Sequence, residues 1–203
     1  MILYGRNLSP YTRRVVMWLI LQGRAFEQRP LALTVAEDRE TLSKISPVAR
    51  VPALVVDDGA VLTESLMICD WLDDSAPEKR LVPATGSARR DCLMRLAVLS
   101  ATTDKGVALF YEAGRRPEDL RWSDWIEHLT GQVTRGLAQL ETMAPEQGFW
   151  GGAGPDGSDL AAACLMDFLP MTSPHLVEGE PYPRLAGLSA RVNALPGIAA
   201  TKP

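Results

Sequence analysis

Cysteine is scarce and odd in number: Cys69, Cys92 and Cys164 are the three thiols among 203 residues. So few, so widely spaced, they exclude a disulfide scaffold and show no metal-ligand spacing. Each falls in a helical pattern, and all three read as buried reduced thiols. Histidine is rarer still. His128 and His175 stand alone and far apart, which leaves nothing to build a zinc site from, and no metal is expected. No apolar run reaches the ~20 residues that a membrane-spanning helix needs. Arg13-Arg14 ahead of Val15–Leu21 has the outline of a secretion signal, yet Gln22-Gly23-Arg24 follows where a small-residue cleavage site belongs. The cytoplasm is the expected location. The glycine-rich segment Gly148–Gly157 lacks the G-x-x-x-x-G-K-S/T of a phosphate loop. Excess charge of one sign is missing too: 25 acids against 21 bases leave a net −4, which draws the chain neither to nucleic acid nor to an anionic membrane. Arg89-Arg90 and Arg115-Arg116 read as solvated helix faces or ends. Apolar residues are plentiful at 46%, enough for a sizeable core in one or two domains.

Three short stretches in the first third of the chain carry the chemistry. Ile2-Leu3-Tyr4 suits a buried strand, ended by Gly5-Arg6-Asn7. Ser9 then fits an N-cap, Pro10 the first helical position, and Gly23 the stop, with Val15, Val16, Leu19 and Ile20 as the inward stripe. That puts the Ser9 hydroxyl at the positive end of a helix, beside unpaired N–H groups that stabilise an anion. A plain cap explains the same serine equally simply. Val51-Pro52-Ala53-Leu54-Val55-Val56, a turn at Asp57-Asp58-Gly59 and Ala60-Val61-Leu62 form a β-hairpin pattern. Pro52 belongs at an edge, and Val51, pushed to extended geometry, has backbone groups to offer an extended ligand. The isomer of the Val51-Pro52 bond is open. Ser65 begins a third pattern through Leu66, Ile68, Cys69, Trp71 and Leu72. A second helix start there suits a carboxylate, and adjacent Glu64 suits an ammonium, the two charges of a free α-amino acid end. Together the three read as a pocket for a small zwitterionic thiol peptide.

After Pro77 the strand signals vanish. Residues 78–86 read as a linker, so the expected division is 1–77, a linker 78–86, and a helical domain 87–203. Ser87–Glu112 is a long helix with Leu93, Leu96, Ala97, Val107 and Phe110 on its apolar side and Gly106 as a bend. Ser123 caps a helix through Met143, with Ile126, Leu129, Val133, Leu137 and Leu140 inward. Asp159 or Ser158 caps Leu160–Leu169, stopped by Pro170, and a final helix lies near Leu185–Ala194.

The order of strand, S-P-Y-T-R-R helix, R-V-P-A-L, strand turn and T-E-S helix resembles the glutathione transferase family. The likeness is close over residues 1–77 and looser over the helical remainder. It implies an α/β thioredoxin-like N-terminal domain followed by an all-α domain, with glutathione as co-substrate. By the same resemblance, Ser9 faces the glutathione sulfur and Tyr11 lines the site. Val51 pairs its main chain with the cysteinyl part, ahead of a cis Pro52, while Glu64 and Ser65 hold the γ-glutamyl end. Arg39 stands near where many members place a basic residue for the glycyl carboxylate. Ser46-Pro47 replaces the usual Asn-Pro. Tyr111 is ranked ahead of Phe110 and Trp122 for the electrophile pocket, which the resemblance assigns to the helical domain. It also implies a homodimer and a detoxifying transferase that joins the thiolate of glutathione to a small hydrophobic electrophile. A glutathione-dependent thiol oxidoreductase or lyase, and a noncatalytic binding or regulatory protein, are the alternatives; serine cannot form a mixed disulfide, which argues against the first. Members usually carry a capping-box Asp three residues into the helix after the glycine-rich loop. Ala161 or Ala162 there predicts a loss of about 1 kcal/mol.

Overall fold

In the computed structural model, which describes residues 1–203, the chain forms two compact units. Met1–Ala84 with Leu195–Pro203 make the first, and Thr85–Ala194 the second.

The first unit is built on a four-stranded sheet in the order β2-β1-β3-β4, from β1 (Ile2–Tyr4), β2 (Glu27–Arg29), β3 (Ala53–Val55) and β4 (Val61–Thr63). The helix α1 (Pro10–Leu21) is the crossover that lets β2 run parallel to β1. The hairpin β3–β4 pairs antiparallel, as its Asp-Gly turn predicts. Two further helices are α2 (Ala36–Ile45) and α3 (Ser65–Asp74). Leu3, Ala53 and Leu54 are fully buried, as are Val15, Met17, Trp18 and Leu19. The burial of α1 is nearly all round and includes Arg13 and Arg14, whereas the apolar pattern predicts one stripe.

Asp73 ties this unit together. Its buried carboxylate accepts from Trp18 Nε1 at 2.7 Å, Gln22 Nε2 at 3.0 Å, and the N–H groups of Leu81 and Val82 at 3.0 and 2.8 Å. Four donors offset the cost of taking that charge out of water. They also fasten the segment after α3 to α1.

The C-terminal nine residues correct the expected division. Leu195–Pro203 packs with the first unit, not the helical one, and the boundary between units falls after Ala84. The reason is Arg13, whose Nε donates to both the carbonyl and the hydroxyl of Thr201 at 3.1 Å. A buried guanidinium needs acceptors, and the chain's end supplies them.

The second unit holds α4 (Gly86–Gly114), α5 (Ser123–Met143), α6 (Gly157–Thr172) and α7 (Pro183–Asn193). Its buried seam on α4 is Cys92, Leu96, Leu99, Thr103, Gly106 and Leu109. Leu93 and Ala97, expected inward, are exposed, because the 3.6 period follows Cys92 instead. On α5, Leu129, Val133, Leu137 and Leu140 are buried as their spacing predicts, but Trp122 occupies the N-cap and Ser123 makes no capping bond. Close approach of α4 and α5 depends on Gly136, where any Cβ would overlap the Thr102 hydroxyl. All three cysteines are buried, and none is in a disulfide. Burial, together with the nearby Asp156 carboxylate, pushes the Cys92 thiol up to about 12.

The predicted loss at α6 is also overturned. Asp156 is the N-cap and Asp159 stands three residues on. The Asp156 side chain accepts from the N–H groups of Ser158 and Asp159, and Asp159 accepts from the Asp156 N–H at 2.7 Å. The capping box is complete. It starts earlier than Leu160, and Pro170 lies inside the helix rather than ending it. Asp159 also accepts from the N–H groups of Trp150 and Gly151, which gathers the glycine-rich loop around the helix start. Arg95 Nη2 meets Asp156 at 2.7 Å from α4.

Candidate functional site

Strand register brings the three chemistry-bearing stretches of the sequence to one end of the sheet. Tyr4 pairs with Ala53, and Ala53 pairs with Thr63. The residues after Tyr4, before Ala53 and after Thr63 therefore leave the sheet together. They are the approach to Ser9, the Val51-Pro52 pair, and Glu64-Ser65. Gly5 makes the crowding tolerable. Its φ of +130° is open to glycine, and an added Cβ would overlap the Thr12 side chain and stand 3.1 Å from Val51 Cβ.

Ser9 is the N-cap of α1, with φ −72° and ψ 116°, and Pro10 follows in the first turn. Its Oγ accepts from the Thr12 N–H at 3.3 Å. That bond uses a lone pair and leaves the hydroxyl proton, which meets no acceptor in the protein, to be donated outward. Tyr11 is half-buried in the same turn.

The Val51-Pro52 bond is cis. Pro52 is buried and Val51 half-buried. Val51 lies outside the ladder and has no backbone hydrogen bond of its own, so both of its main-chain groups are available to an extended chain.

Glu64, rather than Ser65, is the N-cap of α3. It holds φ +69° and accepts from the N–H groups of Leu66 and Met67 at 3.1 and 3.3 Å. Ser65 is the first helical residue and is buried. Its hydroxyl accepts from Arg14 Nη1 at 3.2 Å and donates to Glu64 Oε1 at 3.4 Å.

Two other residues stood out in the sequence, Arg39 and Tyr111. Arg39 is exposed on α2, where its Nη1 donates to the Leu33 carbonyl at 2.8 Å. Tyr111 belongs to the second unit, half exposed on α4, with its ring edge-on to Phe110 at 5.6 Å. The residue that sequence reasoning missed is Arg14. The available signal was an arginine pair inside a helix with apolar residues on every side, since such a helix is buried whole. No group of three or more His, Cys, Asp or Glu is arranged to hold a metal ion, and no helix is long and apolar enough to cross a membrane.

The fold and this cluster define a class: a thioredoxin-like α/β domain followed by a helical domain, with polar groups gathered where β1, β3 and β4 end or begin. Residues 3–80 match the family description "Glutathione S-transferase, N-terminal domain". A crystal structure of a glutathione S-transferase from Methylobacillus flagellatus KT with glutathione bound superimposes with a TM-score of 0.91 at 27% identity, covering 100% of this chain and 98% of that one. A maleylacetoacetate isomerase from Pseudomonas aeruginosa is 29% identical over 165 residues, 77% of this chain and 74% of that protein. A probable maleylacetoacetate isomerase from Caenorhabditis elegans is 37% identical over 82 residues, 40% of this chain and only 38% of the relative's length. Residues 3–80 thus match the N-terminal domain of the glutathione S-transferase family, and the chain along its whole length is similar in fold to a solved member of it.

Proposed function

We propose that this protein binds glutathione at the end of the sheet where β1, β3 and β4 meet, and that Ser9 donates a hydrogen bond to the bound thiolate. The observation that carries the reading is the Ser9 hydroxyl itself, an acceptor toward the Thr12 N–H with its proton still to give. Glutathione bound in the Methylobacillus flagellatus relative supports the choice of thiol. In this reading Val51 pairs its main chain with the cysteinyl part, Pro52 shapes that approach, Tyr11 lines the site, and Glu64 with Ser65 hold the zwitterionic γ-glutamyl end. Arg39 meets the glycyl carboxylate, Tyr111 faces the electrophile, and the protein works as a homodimer.

In the conjugation the thiol proton goes to solvent, and the sulfur forms a bond to the electrophilic carbon. With an aryl halide, halide leaves with the electron pair of the broken bond. Serine stays protonated throughout. Its part is to make a neighbouring sulfur more acidic.

A second reading is favoured by the isomerase relative. A thiolate that adds to an activated double bond and later departs returns glutathione unchanged, so the same site would isomerise rather than conjugate. The two differ in stoichiometry. Calorimetric titration with glutathione, followed by turnover of a generic aryl halide and of a cis-enone diacid, tests both. Saturable binding with one glutathione consumed per product supports the transferase, and catalytic glutathione supports the isomerase. Absence of glutathione binding would sink the proposal in either form.

A further inference from the structure

Arg14 is an ion without a counter-ion. It is 1% exposed, and its one hydrogen bond goes from Nη1 to the Ser65 hydroxyl. Nε and Nη2 are buried and meet no acceptor in the protein. Its neighbour Arg13, equally buried, is satisfied by Thr201. Burying a guanidinium with most of its donors unmet is costly, because neither water nor a carboxylate repays its lost hydration.

The place where this charge is kept gives it a use. Ser65 opens α3, so the guanidinium stands behind the hydroxyl at a helix N-terminus. The Glu64 carboxylate caps the N–H groups of Leu66 and Met67 and takes only the 3.4 Å bond from Ser65. Two fields of the same sign, one from the helix end and one from the buried cation, add at the Ser65 hydroxyl. A guanidinium donating to that oxygen also polarises its O–H, which makes it a stronger donor.

We infer that Arg14 is a positioning residue that makes the start of α3 select a ligand carrying a free α-carboxylate, acting through the Ser65 hydroxyl. This rests on the glutathione reading above and adds to it the group that discriminates. The missing counter-charge is supplied by the ligand, through one intervening hydroxyl. A peptide thiol lacking that carboxylate would leave the cation as it is in the free protein, and would bind correspondingly less well.

The test is a ratio of affinities, measured by calorimetry, for glutathione and for its analogue with γ-aminobutyrate in place of the γ-glutamyl residue. The analogue keeps the thiol, the glycyl end and the amine, and lacks only the α-carboxylate. In the wild type the ratio should favour glutathione strongly. R14Q, which keeps a donor and removes the charge, should lower that ratio at least tenfold, about 1.4 kcal/mol, while affinity for the analogue stays within threefold. R14K, which keeps the charge, should restore most of the ratio. A purely structural role would weaken both ligands alike and leave the ratio unchanged in R14Q, which overturns the inference. If neither Arg14 variant folds, S65A reads the same coupling: its ratio must fall, and an unchanged one overturns the inference just as firmly. The functional reading fails separately, and takes this inference with it, if the wild type binds neither ligand.

Discussion

Replacing Ser9 with alanine removes two things at once, and their sizes differ enough to separate. The first is a helix cap. The Thr12 N–H loses its acceptor at 3.3 Å, and serine to alanine at an N-cap costs typically ~1 kcal/mol of stability, whereas glycine there costs only a few tenths. The second is the donor to the sulfur. A hydrogen bond to a charged group contributes roughly 1.5–3 kcal/mol, which at 1.36 kcal/mol per unit is about one to two pKa units. The N-terminus of α1 remains in the variant and lowers a thiol by only about 0.3–1 kcal/mol. From a free thiol near ~8.5, the bound sulfur should titrate between about 6 and 7 in the wild type and near about 8 in S9A. At pH 7 the ionised fraction then falls about five- to tenfold. Ultraviolet titration of bound glutathione measures the shift directly. Turnover of an aryl halide should fall about five- to tenfold at pH 7, and the deficit should close as pH rises past the variant's thiol pKa. S9G controls for the cap: it should titrate like S9A while keeping most of the melting temperature. Equal thiol pKa values in wild type and S9A would refute the argument, and would move activation to another donor.

Other expectations follow from the second unit and the sheet. Burial pushes the Asp159 carboxyl up to about 6, against three backbone N–H bonds that pull it down. Because its folded value lies above the unfolded ~3.9, its contribution to stability is fully present below about pH 4 and is lost as pH rises through about 6, on the order of 3 kcal/mol. Denaturant unfolding of wild type and D159N between pH 4 and 7 should show that slope only in the wild type, and parallel profiles would contradict it. G136A should destabilise by about 1–3 kcal/mol through overpacking against Thr102, despite alanine's better helix propensity; T102A in the same chain should recover part of the melting temperature, and no recovery would locate the strain elsewhere. None of Cys69, Cys92 and Cys164 should react with a thiol reagent in the folded protein, and all three should react in denaturant. Fast labelling of native Cys92 would contradict its raised thiol.

Much of the first unit was legible because its signals are local. Ser9 before Pro10 marks a helix start by the chemistry of two adjacent residues, and the Asp-Gly turn marks the hairpin in the same way. The helix Ser123–Met143 was readable from the spacing of four leucines and valines on one face. Where sequence reading failed, the deciding partner was remote. Leu195–Pro203 looked like the tail of a helical domain, but the acceptor that Arg13 needs is Thr201, 188 positions along. On α4 the period was read from Leu93 when it runs from Cys92, and one residue of slip turns a helix face by about 100°. The α6 capping box was read two or three residues late, because Leu160 begins the apolar run while the helix already starts at Gly157.

The sequence by itself determined the helix starts, the turn, the sheet-forming runs and the residue types that suit a thiol peptide, since each depends on neighbours a few positions away. Only the tertiary structure decided that Ser9, Val51 and Ser65 share one end of a sheet, that the Val51-Pro52 bond is cis, and that Arg14 stands buried behind Ser65. Those facts depend on strand register and on contacts tens of residues apart, and hydrogen-bond partners at that separation leave no periodicity in the chain.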